Sequence, residues 1–328
     1  MASALSLSEM YCPFPSIPHP DPDAVEDRVI DWMRRFDYVS DATDEQAARH
    51  SGIARVGAWA APYADVDGAA LVAKWMVWLF IADDLQVERP AELGQPEIFA
   101  HDVLRCMRVY HQDHMPENAE PHLHALAELR AELAGVAGHE VILRIGDGLN
   151  DYWLACACEI MFHTRGVIPP PDEYDRLRES LMLMRPTSMV LSALVQDSDL
   201  PTSIWSQPQI QAAARSASRI IGYTHDYHAG PREVRWPGSI CFINVLAQHH
   251  GCDHQEALDR LNARNTAETH RFQRLTADLR RDGDPAVDRY LASLERWIRG
   301  NYDWSRECGR YHISDQTAYT PRRGPFGI

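Results

Sequence analysis

The chain has 328 residues and a formal net charge of −15 at neutral pH, with 45% hydrophobic and 24% charged residues. This apolar share is enough for a large core, whereas the strong negative charge argues against nucleic acid and against an anionic membrane surface as partners. No stretch predicts a membrane span or a secretory signal. The seven cysteines include no CxxC pair, so we expect reduced thiols and a cytoplasmic protein.

Residues 1–23 are rich in proline and lack periodicity, which predicts an extended N-terminal arm. Residues 24–313 are predicted to form one helical domain, and residues 314–328 a flexible basic tail that contains glycine and proline. Apolar residues recur at helical intervals in ten segments. These are 25–33, 68–82, 95–110, 120–133, 142–164, 172–184, 209–223, 240–249, 255–280 and 284–311. With no paired strands and no internal repeat, the pattern predicts a single all-α domain.

The segment 75–88 is an apolar run that ends in acidic residues. Asp83 and Asp84 are adjacent, and Glu88 follows one helical turn later, so on a continuing helix Asp84 and Glu88 share a face. Like charges at this spacing destabilise a helix unless a cation lies between them. Oxygen ligands on a rigid element suit Mg²⁺ shared with a phosphate-bearing ligand. The alternative is a helix that leaves the core and exposes a solvated acidic end.

Arginine supplies nearly all of the basic charge, because Lys74 is the only lysine in the chain. An acidic protein that binds an anion needs metal ions or locally placed cationic side chains. Guanidinium groups, which bind phosphate oxygens in a bidentate manner, would perform this role here.

Several separated stretches resemble the bacterial class I terpene synthases. The sequence Asp83-Asp84-Leu85-Gln86-Val87-Glu88 resembles the DDxxxE form of their aspartate-rich motif. The run from Asp151-Tyr152-Trp153 through Glu159, followed by Glu173-Tyr174, resembles the stretch before their diphosphate-sensing arginine. The resemblance implies that Arg178 is this arginine. Arg185, in the sequence Arg185-Pro186-Thr187-Ser188, is the alternative.

The third stretch, residues 225–233, resembles the family's second metal motif, (N/D)DxxSxxxE. His225 occupies the position of the first ligand, Ala229 occupies that of the serine ligand, and Pro231 would disturb a regular helix. Imidazole is a poorer partner than oxygen for Mg²⁺, and a methyl group is no ligand. Either water or a neighbouring side chain replaces the missing ligand, or this metal site is weak or absent.

The fourth stretch is the pair Arg310-Tyr311 behind Trp304, which resembles the Arg-Tyr pair that closes over the diphosphate in this family. With it, the resemblance assigns a set of metal-binding residues. These are Asp83, Asp84, Glu88, His225, Asp226 and Glu233. It also assigns a set of catalytic residues that act on the diphosphate. These are Arg178, Arg232, Arg310 and Tyr311.

The resemblance implies a single-domain helical bundle around a deep apolar cavity. The residues predicted to line this cavity are Trp75, Trp78, Phe80, Tyr152, Trp153, Met182, Tyr223 and Trp304. His163 and His228 are expected to be ordinary polar residues rather than proton acceptors.

The resemblance further implies a class I terpene cyclase. Such an enzyme uses up to three Mg²⁺ ions to ionise a linear prenyl diphosphate, farnesyl or geranylgeranyl, and cyclises the cation. A homodimer is also what the resemblance suggests. The alternative is a protein of the same fold that binds an apolar or prenylated ligand, or an unusual substrate, without ionising it.

Overall fold

A computed structural model of the chain describes residues 5–88, 90, 94–112, 114–235 and 239–311. For Leu85, Glu88 and Pro186 it describes the backbone alone, and the predicted tail 314–328 lies outside these ranges. Within them the chain forms helices and no strand, which confirms the predicted all-α fold. No described helix combines the length and the apolar character that crossing a membrane would require.

Fourteen α-helices are present in the described residues. They are α1 (Pro22–Arg35), α2 (Ala42–Ser51), α3 (Val56–Ala60), α4 (Val66–Ala82), α5 (Pro96–Gln112), α6 (Pro121–Val136), α7 (His139–Arg165), α8 (Pro171–Leu181), α9 (Met189–Leu194), α10 (Thr202–Trp205), α11 (Pro208–Glu233), α12 (Phe242–His250), α13 (His254–Arg280) and α14 (Pro285–Glu307). Two π-helical turns interrupt the series. They are Asp83–Glu88, directly after α4, and Met184–Ser188, directly before α9.

Short polar residues and glycines set the helix ends. The Asp21 carboxylate accepts a hydrogen bond from the Ala24 amide and begins α1. Asp65 begins α4 in the same way, through the Gly68 amide. Gly166 ends α7 with a left-handed φ of 60°, a conformation that glycine adopts without steric cost. Local sequence therefore determines these boundaries.

Helix α11 is longer than the sequence predicts. The pattern ends a helix at residue 223, but α11 continues to Glu233 with Pro231 inside its last turn. A proline there removes only the hydrogen bond to the Tyr227 carbonyl. Most residues between 220 and 231 are buried, and α11 packs against α13 and α14. This packing outweighs the cost of the proline, so residues 225–233 lie on one rigid helix.

Helix α4 is buried around almost its whole circumference and forms the centre of the bundle. It packs against α1, α3 and α6. Trp75 and Trp78 are fully buried, with ring centroids 6.2 Å apart, and Trp78 stacks on His122 at 4.5 Å. The prediction that these two tryptophans line the cavity is wrong, because they fill the core around α4. The C-terminal half of the helix reaches the cavity through other residues.

The N-terminal segment 5–20 lies without regular structure across α11, α13 and α14. The Ser8 amide donates to the Tyr227 hydroxyl of α11 at 2.7 Å, and Met10 and Phe14 are buried. From α14, Arg299 donates to the carbonyl oxygens of Cys12 and Phe14 at 3.4 and 3.3 Å. This segment thus packs on α11 at Tyr227, which is not among the described residues of the cavity wall.

Helices α3 and α14 approach each other closely at Gly300. A Cβ atom added there would lie 2.2 Å from the Trp59 carbonyl oxygen, far inside van der Waals contact. The close approach sets the position of the residues that follow on α14, including Asn301 and Trp304.

We expect Gly300→Ala to destabilise the protein by about 2 kcal/mol or more, because a methyl group has no room and the helices must separate. Gly135→Ala is the matched control. Gly135 is exposed near the end of α6, with nothing within 4 Å of an added Cβ. This change should therefore be neutral or stabilise by about 0.5 kcal/mol through helix propensity. Thermal unfolding of both variants checks the prediction. Equal melting temperatures would contradict it.

Candidate active site

A cavity of about 410 Å³ lies between α4, α7, α8, α11, α14 and the residues after α14. One part of its wall is apolar and includes Met76, Leu79, Phe80, Leu181 and Met182. The other part carries ionisable side chains. These are Asp83, Glu159, Arg178, Arg232, Glu233 and Arg310, together with His163, His225 and the tyrosines Tyr152, Tyr174 and Tyr311. The wall therefore combines a surface for a hydrocarbon with groups suited to an anion and its cations.

The break between α8 and α9 contributes the wall residues 182–184. Leu183 has a φ of 46°, in the left-handed region that non-glycine residues rarely adopt. Backbone strain of this kind costs about 1 kcal/mol or more and is concentrated at functional sites. It turns the chain so that Met182, Leu183 and Met184 all line the cavity. The predicted helical segment 172–184 thus ends as an α-helix at Leu181.

The acidic motif lies on the π-helical turn Asp83–Glu88 and not on a continuing α-helix. Hydrogen bonds in a π turn join residues five apart, so this turn is wider than a turn of α-helix. Asp83 lines the cavity. Asp84 instead accepts hydrogen bonds from Arg310 at 2.8 and 3.4 Å. The side chain of Glu88 lies outside the described residues, so its predicted role stays a prediction.

The second motif, on the last turns of α11, contributes His225, Arg232 and Glu233 to the cavity wall. Asp226 does not line it. This carboxylate is fully buried and pairs with Arg178, and its second oxygen accepts from the Phe242 amide at 3.4 Å. Protein donors thus engage both oxygens of Asp226, and its role as a metal ligand stays a prediction.

Arg178, on α8, lies in the cavity wall next to the second motif. Its Nε donates to Asp226 Oδ1 at 2.9 Å, and its Nη2 lies 2.8 Å from His225 Nδ1. The alternative, Arg185, points elsewhere. It donates to Gln211 at 2.6 Å, pairs with Glu179 and is not among the described residues of the wall. Of the two arginines, the structure thus places only Arg178 where a bound anion would be.

Arg310 and Tyr311 close the cavity from the segment after α14. The Arg310 guanidinium lies over the Phe80 ring at 4.9 Å, and Phe80 in turn stacks on Trp304 at 5.7 Å. The Trp304 indole donates to the Gly52 carbonyl at 2.8 Å, which holds the end of α14 against the turn after α2. The Tyr311 hydroxyl is buried and finds no hydrogen-bond partner among the described residues.

Four of the eight residues predicted to line the cavity do so, namely Phe80, Tyr152, Met182 and Trp304. Besides Trp75 and Trp78, Trp153 and Tyr223 are also absent from the described wall. Tyr223 packs on Phe242 at 5.3 Å and donates to Asp175, so its ring fills the space between α8, α11 and α12. Trp153 follows Tyr152 directly and therefore projects from a different side of α7.

Sequence reasoning missed Glu159 as a site residue and treated His163 as an ordinary polar residue, yet both line the cavity from α7. With Tyr152 they stand seven and eleven residues apart along one face of this helix. Helical spacing from Tyr152 was the signal that would have found them. A carboxylate on the same stripe as a buried tyrosine is unusual in a core and indicates a functional surface.

Three carboxyl groups in the cavity have raised pKa values. Burial is the first cause in each, and neighbouring carboxylates add to it, so the pKa of Asp83 rises to about 6, that of Glu233 to about 7 and that of Glu159 to about 8. The nearby arginines, Arg178 foremost, offset this only in part. A cation bound among these three carboxyl groups would therefore stabilise their ionised forms.

The donor set fits a divalent metal in part. Asp83 and Glu233 supply cavity-facing oxygens, which Mg²⁺ and similar ions prefer. The second motif fits less well, because Ala229 supplies no donor and Asp226 is engaged by Arg178. Within the described residues, no three histidine, cysteine, aspartate or glutamate side chains are gathered closely enough to hold a metal ion.

The raised pKa of Glu159 predicts that stability of the metal-free protein falls with rising pH. The folded carboxyl holds its proton to about pH 8, whereas an unfolded glutamate loses it near pH 4.5, so the folded state binds more protons in between. The contribution to stability is full below the unfolded pKa and is lost as the pH rises through the folded one. We expect a loss of about 3 to 4 kcal/mol between pH 5 and 8.

Glu159→Gln, which mimics the protonated acid, should flatten this pH dependence. The control is Glu97→Gln, on an exposed position of α5, which should leave it unchanged. Urea unfolding of the three proteins at several pH values, in the presence of a chelator, measures the effect. A Glu159→Gln variant with the slope of the parent protein would show that this carboxyl is not the cause.

Comparison with known proteins agrees with this site. The family model described as terpene synthase family 2, C-terminal metal binding, matches residues 74–271, more than half of the chain. The chain is 27% identical to 4-epi-cubebol synthase, (2E,6E)-farnesyl diphosphate cyclizing, from Streptosporangium roseum, with 97% of this chain and 96% of that protein covered. It is 24% identical to germacrene A synthase from Nostoc punctiforme, with 95% and 97% covered.

A solved structure shows the same fold. The 2-methylisoborneol synthase from Streptomyces coelicolor A3(2), determined in complex with Mg²⁺ and 2-fluoroneryl diphosphate, superimposes with a TM-score of 0.83 at 21% identity. The match covers 94% of this chain and 99% of that one. The family match extends from Lys74 on α4 to Arg271 on α13 and thus includes both acidic motifs. The chain therefore belongs to terpene synthase family 2 and is a terpene cyclase that depends on a divalent metal.

Proposed function

We propose that the protein uses Mg²⁺ to ionise a linear prenyl diphosphate, farnesyl or geranylgeranyl, and cyclises the resulting cation to a terpene hydrocarbon or alcohol. The observation that carries this proposal is the composition of the cavity wall. Asp83, Glu233, Arg178 and Arg310 border the same 410 Å³ space as an apolar and aromatic surface. The activity of the Streptosporangium roseum relative, a synthase that cyclises farnesyl diphosphate, supports it.

The polar part of the wall is suited to a diphosphate leaving group. Diphosphate departs readily only when its developing negative charge is stabilised by cationic groups and hydrogen-bond donors. When bound, Mg²⁺ would supply part of this stabilisation as a Lewis acid, and Asp83 and Glu233 are the cavity residues that would hold it. Arg178, Arg232 and Arg310 would bind phosphate oxygens through their guanidinium groups, and the Tyr311 hydroxyl would donate a further hydrogen bond.

The apolar part of the wall is suited to a carbocation. Water would capture such an ion, so the cavity must exclude water while the prenyl chain cyclises. Phe80, Tyr152 and Trp304 present aromatic rings at this wall. Each ring face that a passing cation approaches would stabilise it by about 0.5 to 2 kcal/mol. Met76, Leu79, Leu181 and Met182 complete a surface that offers no nucleophilic oxygen or nitrogen from their side chains.

Incubation of the purified chain with Mg²⁺ and geranyl, farnesyl or geranylgeranyl diphosphate, each alone, tests the proposal. Hexane extracts are analysed by gas chromatography with mass detection, and released diphosphate is measured in the aqueous phase. We expect a cyclic product from farnesyl or geranylgeranyl diphosphate. The same incubation with a chelator is the control and should give none.

Recovery of intact substrate in all three incubations would contradict the proposed reaction. If a non-hydrolysable prenyl analogue still bound tightly, the alternative of ligand binding without ionisation would be favoured, with His225 and Ala229 as its motivation. The substrate that is converted also decides between the two chain lengths. The homodimer and the division into arm, domain and tail stay predictions, which sedimentation and limited proteolysis of the same preparation would test.

A further inference from the structure

The segment 225–233 departs from the second metal motif at two of its ligand positions, and the structure shows what the replacements do. Ala229 lines the cavity with a methyl group. His225 also lines it, but one edge of the imidazole ring is already in contact with protein groups. The role of His225 therefore depends on whether each ring nitrogen carries a proton or a free lone pair.

His225 Nδ1 has two neighbours that require opposite roles. Arg178 Nη2 lies at 2.8 Å and Asp226 Oδ1 at 3.1 Å. A guanidinium group only donates, whereas a carboxylate oxygen only accepts. Asp226 Oδ1 already accepts from Arg178 Nε and Nη2, so it does not need a third donor. The shorter contact, with the cation, makes Nδ1 the acceptor.

An Nδ1 that accepts leaves the proton of the neutral ring on Nε2. An imidazole nitrogen that carries a proton has no lone pair available for a metal ion. Because Arg178 and Asp226 occupy the Nδ1 edge, the Nε2 edge is the one left to face the cavity that His225 lines. Arg178 thus converts His225 into a hydrogen-bond donor towards the cavity.

A second observation points to an anion at the same place. The ring of Tyr311 lies edge-on to His225, with centroids 5.4 Å apart, and Tyr311 also lines the cavity. This tyrosine is 7% exposed, and its buried hydroxyl has no hydrogen-bond partner among the described residues. The rings that carry an O–H donor and an N–H donor are thus neighbours in the wall that also contains Arg178, and donors of this kind suit phosphate oxygens.

We propose that His225 is not a metal ligand in this protein but a donor that binds the leaving diphosphate through Nε2–H, and that the loaded site holds one metal ion fewer than the complete second motif would. Protein donors replace the charge compensation that this ion would supply. The inference rests on the proposed function for the identity of the anion. The role of His225 in the ligand-free chain stands independently of it.

The first test is the tautomer of His225. In the full-length chain labelled with ¹⁵N-histidine, two-bond ¹H–¹⁵N spectra distinguish the two neutral forms, and the His225→Asn variant assigns the signal. We expect Nε2–H without ligand, and a shift of this signal when inorganic diphosphate is added. The His225→Phe variant, which keeps a ring and removes the donor, should bind inorganic diphosphate about tenfold more weakly.

The second test counts metal ions. Mn²⁺ is titrated into the full-length chain with inorganic diphosphate, and free Mn²⁺ is measured by electron paramagnetic resonance. The double variant His225→Asn/Ala229→Ser restores both oxygen ligands, and we expect it to bind about one more ion per chain than the parent. His163→Asn, at another cavity histidine, is the matched control and should bind the same number as the parent.

An Nδ1–H tautomer, or equal Mn²⁺ numbers in the parent and a folded double variant, would overturn the inference. If the double variant does not fold, the tautomer and the diphosphate shift decide alone. A different outcome is that the tautomer, the diphosphate shift and the Mn²⁺ numbers are all as expected while no prenyl diphosphate is converted. That result would refute the proposed reaction and leave the role of His225 in place.

Discussion

Asp83→Asn is expected to lower kcat/KM for the prenyl diphosphate by about a thousandfold. Among the described side chains of the first acidic motif, Asp83 is the carboxylate that lies in the cavity wall. An amide of the same shape keeps the packing but lacks the charge that holds a divalent metal. Because burial already raises the pKa of Asp83 to about 6, removing its charge should not reduce the thermal stability.

Asp84→Asn is the control for this change. Asp84 is adjacent in sequence, but it pairs with Arg310 at 2.8 Å instead of lining the described wall. Its loss weakens the positioning of Arg310, so we expect about a tenfold decrease in kcat/KM. Steady-state release of diphosphate measures both variants, and melting curves check that they fold. If Asp84→Asn were the more damaging of the two, Asp84 would have to turn towards the metal in the loaded enzyme.

Arg178→Met is expected to reduce both activity and stability. Arg178 borders the cavity and would bind the diphosphate, so turnover should fall by about a hundredfold or more. The same change removes the partner of Asp226, which is fully buried. A buried carboxylate left without its cation destabilises a protein by about 3 to 5 kcal/mol.

The double variant Arg178→Met/Asp226→Asn separates these two effects. Removing both charges should restore much of the lost stability, because no uncompensated carboxylate remains. It should not restore turnover, because the guanidinium that would contact the diphosphate is still absent. Arg185→Met is the control arginine, since Arg185 pairs with Glu179 and Gln211 away from the described wall. Recovered activity in the double variant would show that Arg178 only stabilises α11 and does not act on the substrate.

The order of helices and the identity of the main site residues could be read from the sequence alone. Hydrophobic spacing, aspartate caps such as Asp21 and the glycine end of α7 act over a few residues, so they are visible in a linear pattern. The motif residues Asp83, Arg178, Glu233, Arg310 and Tyr311 were predicted from the resemblance to the class I terpene synthases, and all of them border one cavity.

Other features depended on contacts between helices that are distant in sequence. Pro231 should end a helix, but the burial of α11 between α13 and α14 carries it on to Glu233. Trp75 and Trp78 belong to the same apolar run as Phe80, yet Phe80 lines the cavity together with Met76 and Leu79, whereas the two tryptophans are buried in the core. No linear pattern shows which face of a wholly apolar helix borders an internal space.

Tertiary structure also decided the roles within the two acidic motifs. On the π-helical turn Asp83–Glu88, Asp83 lines the cavity whereas Asp84 pairs with Arg310. Arg310 is more than two hundred residues away from Asp84 in the chain. Asp226 and His225 were assigned to a metal from their position in a motif, but Arg178 from α8 lies against both. The sequence by itself determined which chemical groups are present and on which helices they stand. The partners of the charged groups followed only from the packing of α4, α8, α11 and α14, because electrostatic contacts depend on distance in space. These partners in turn decide which groups can still bind a metal or a diphosphate.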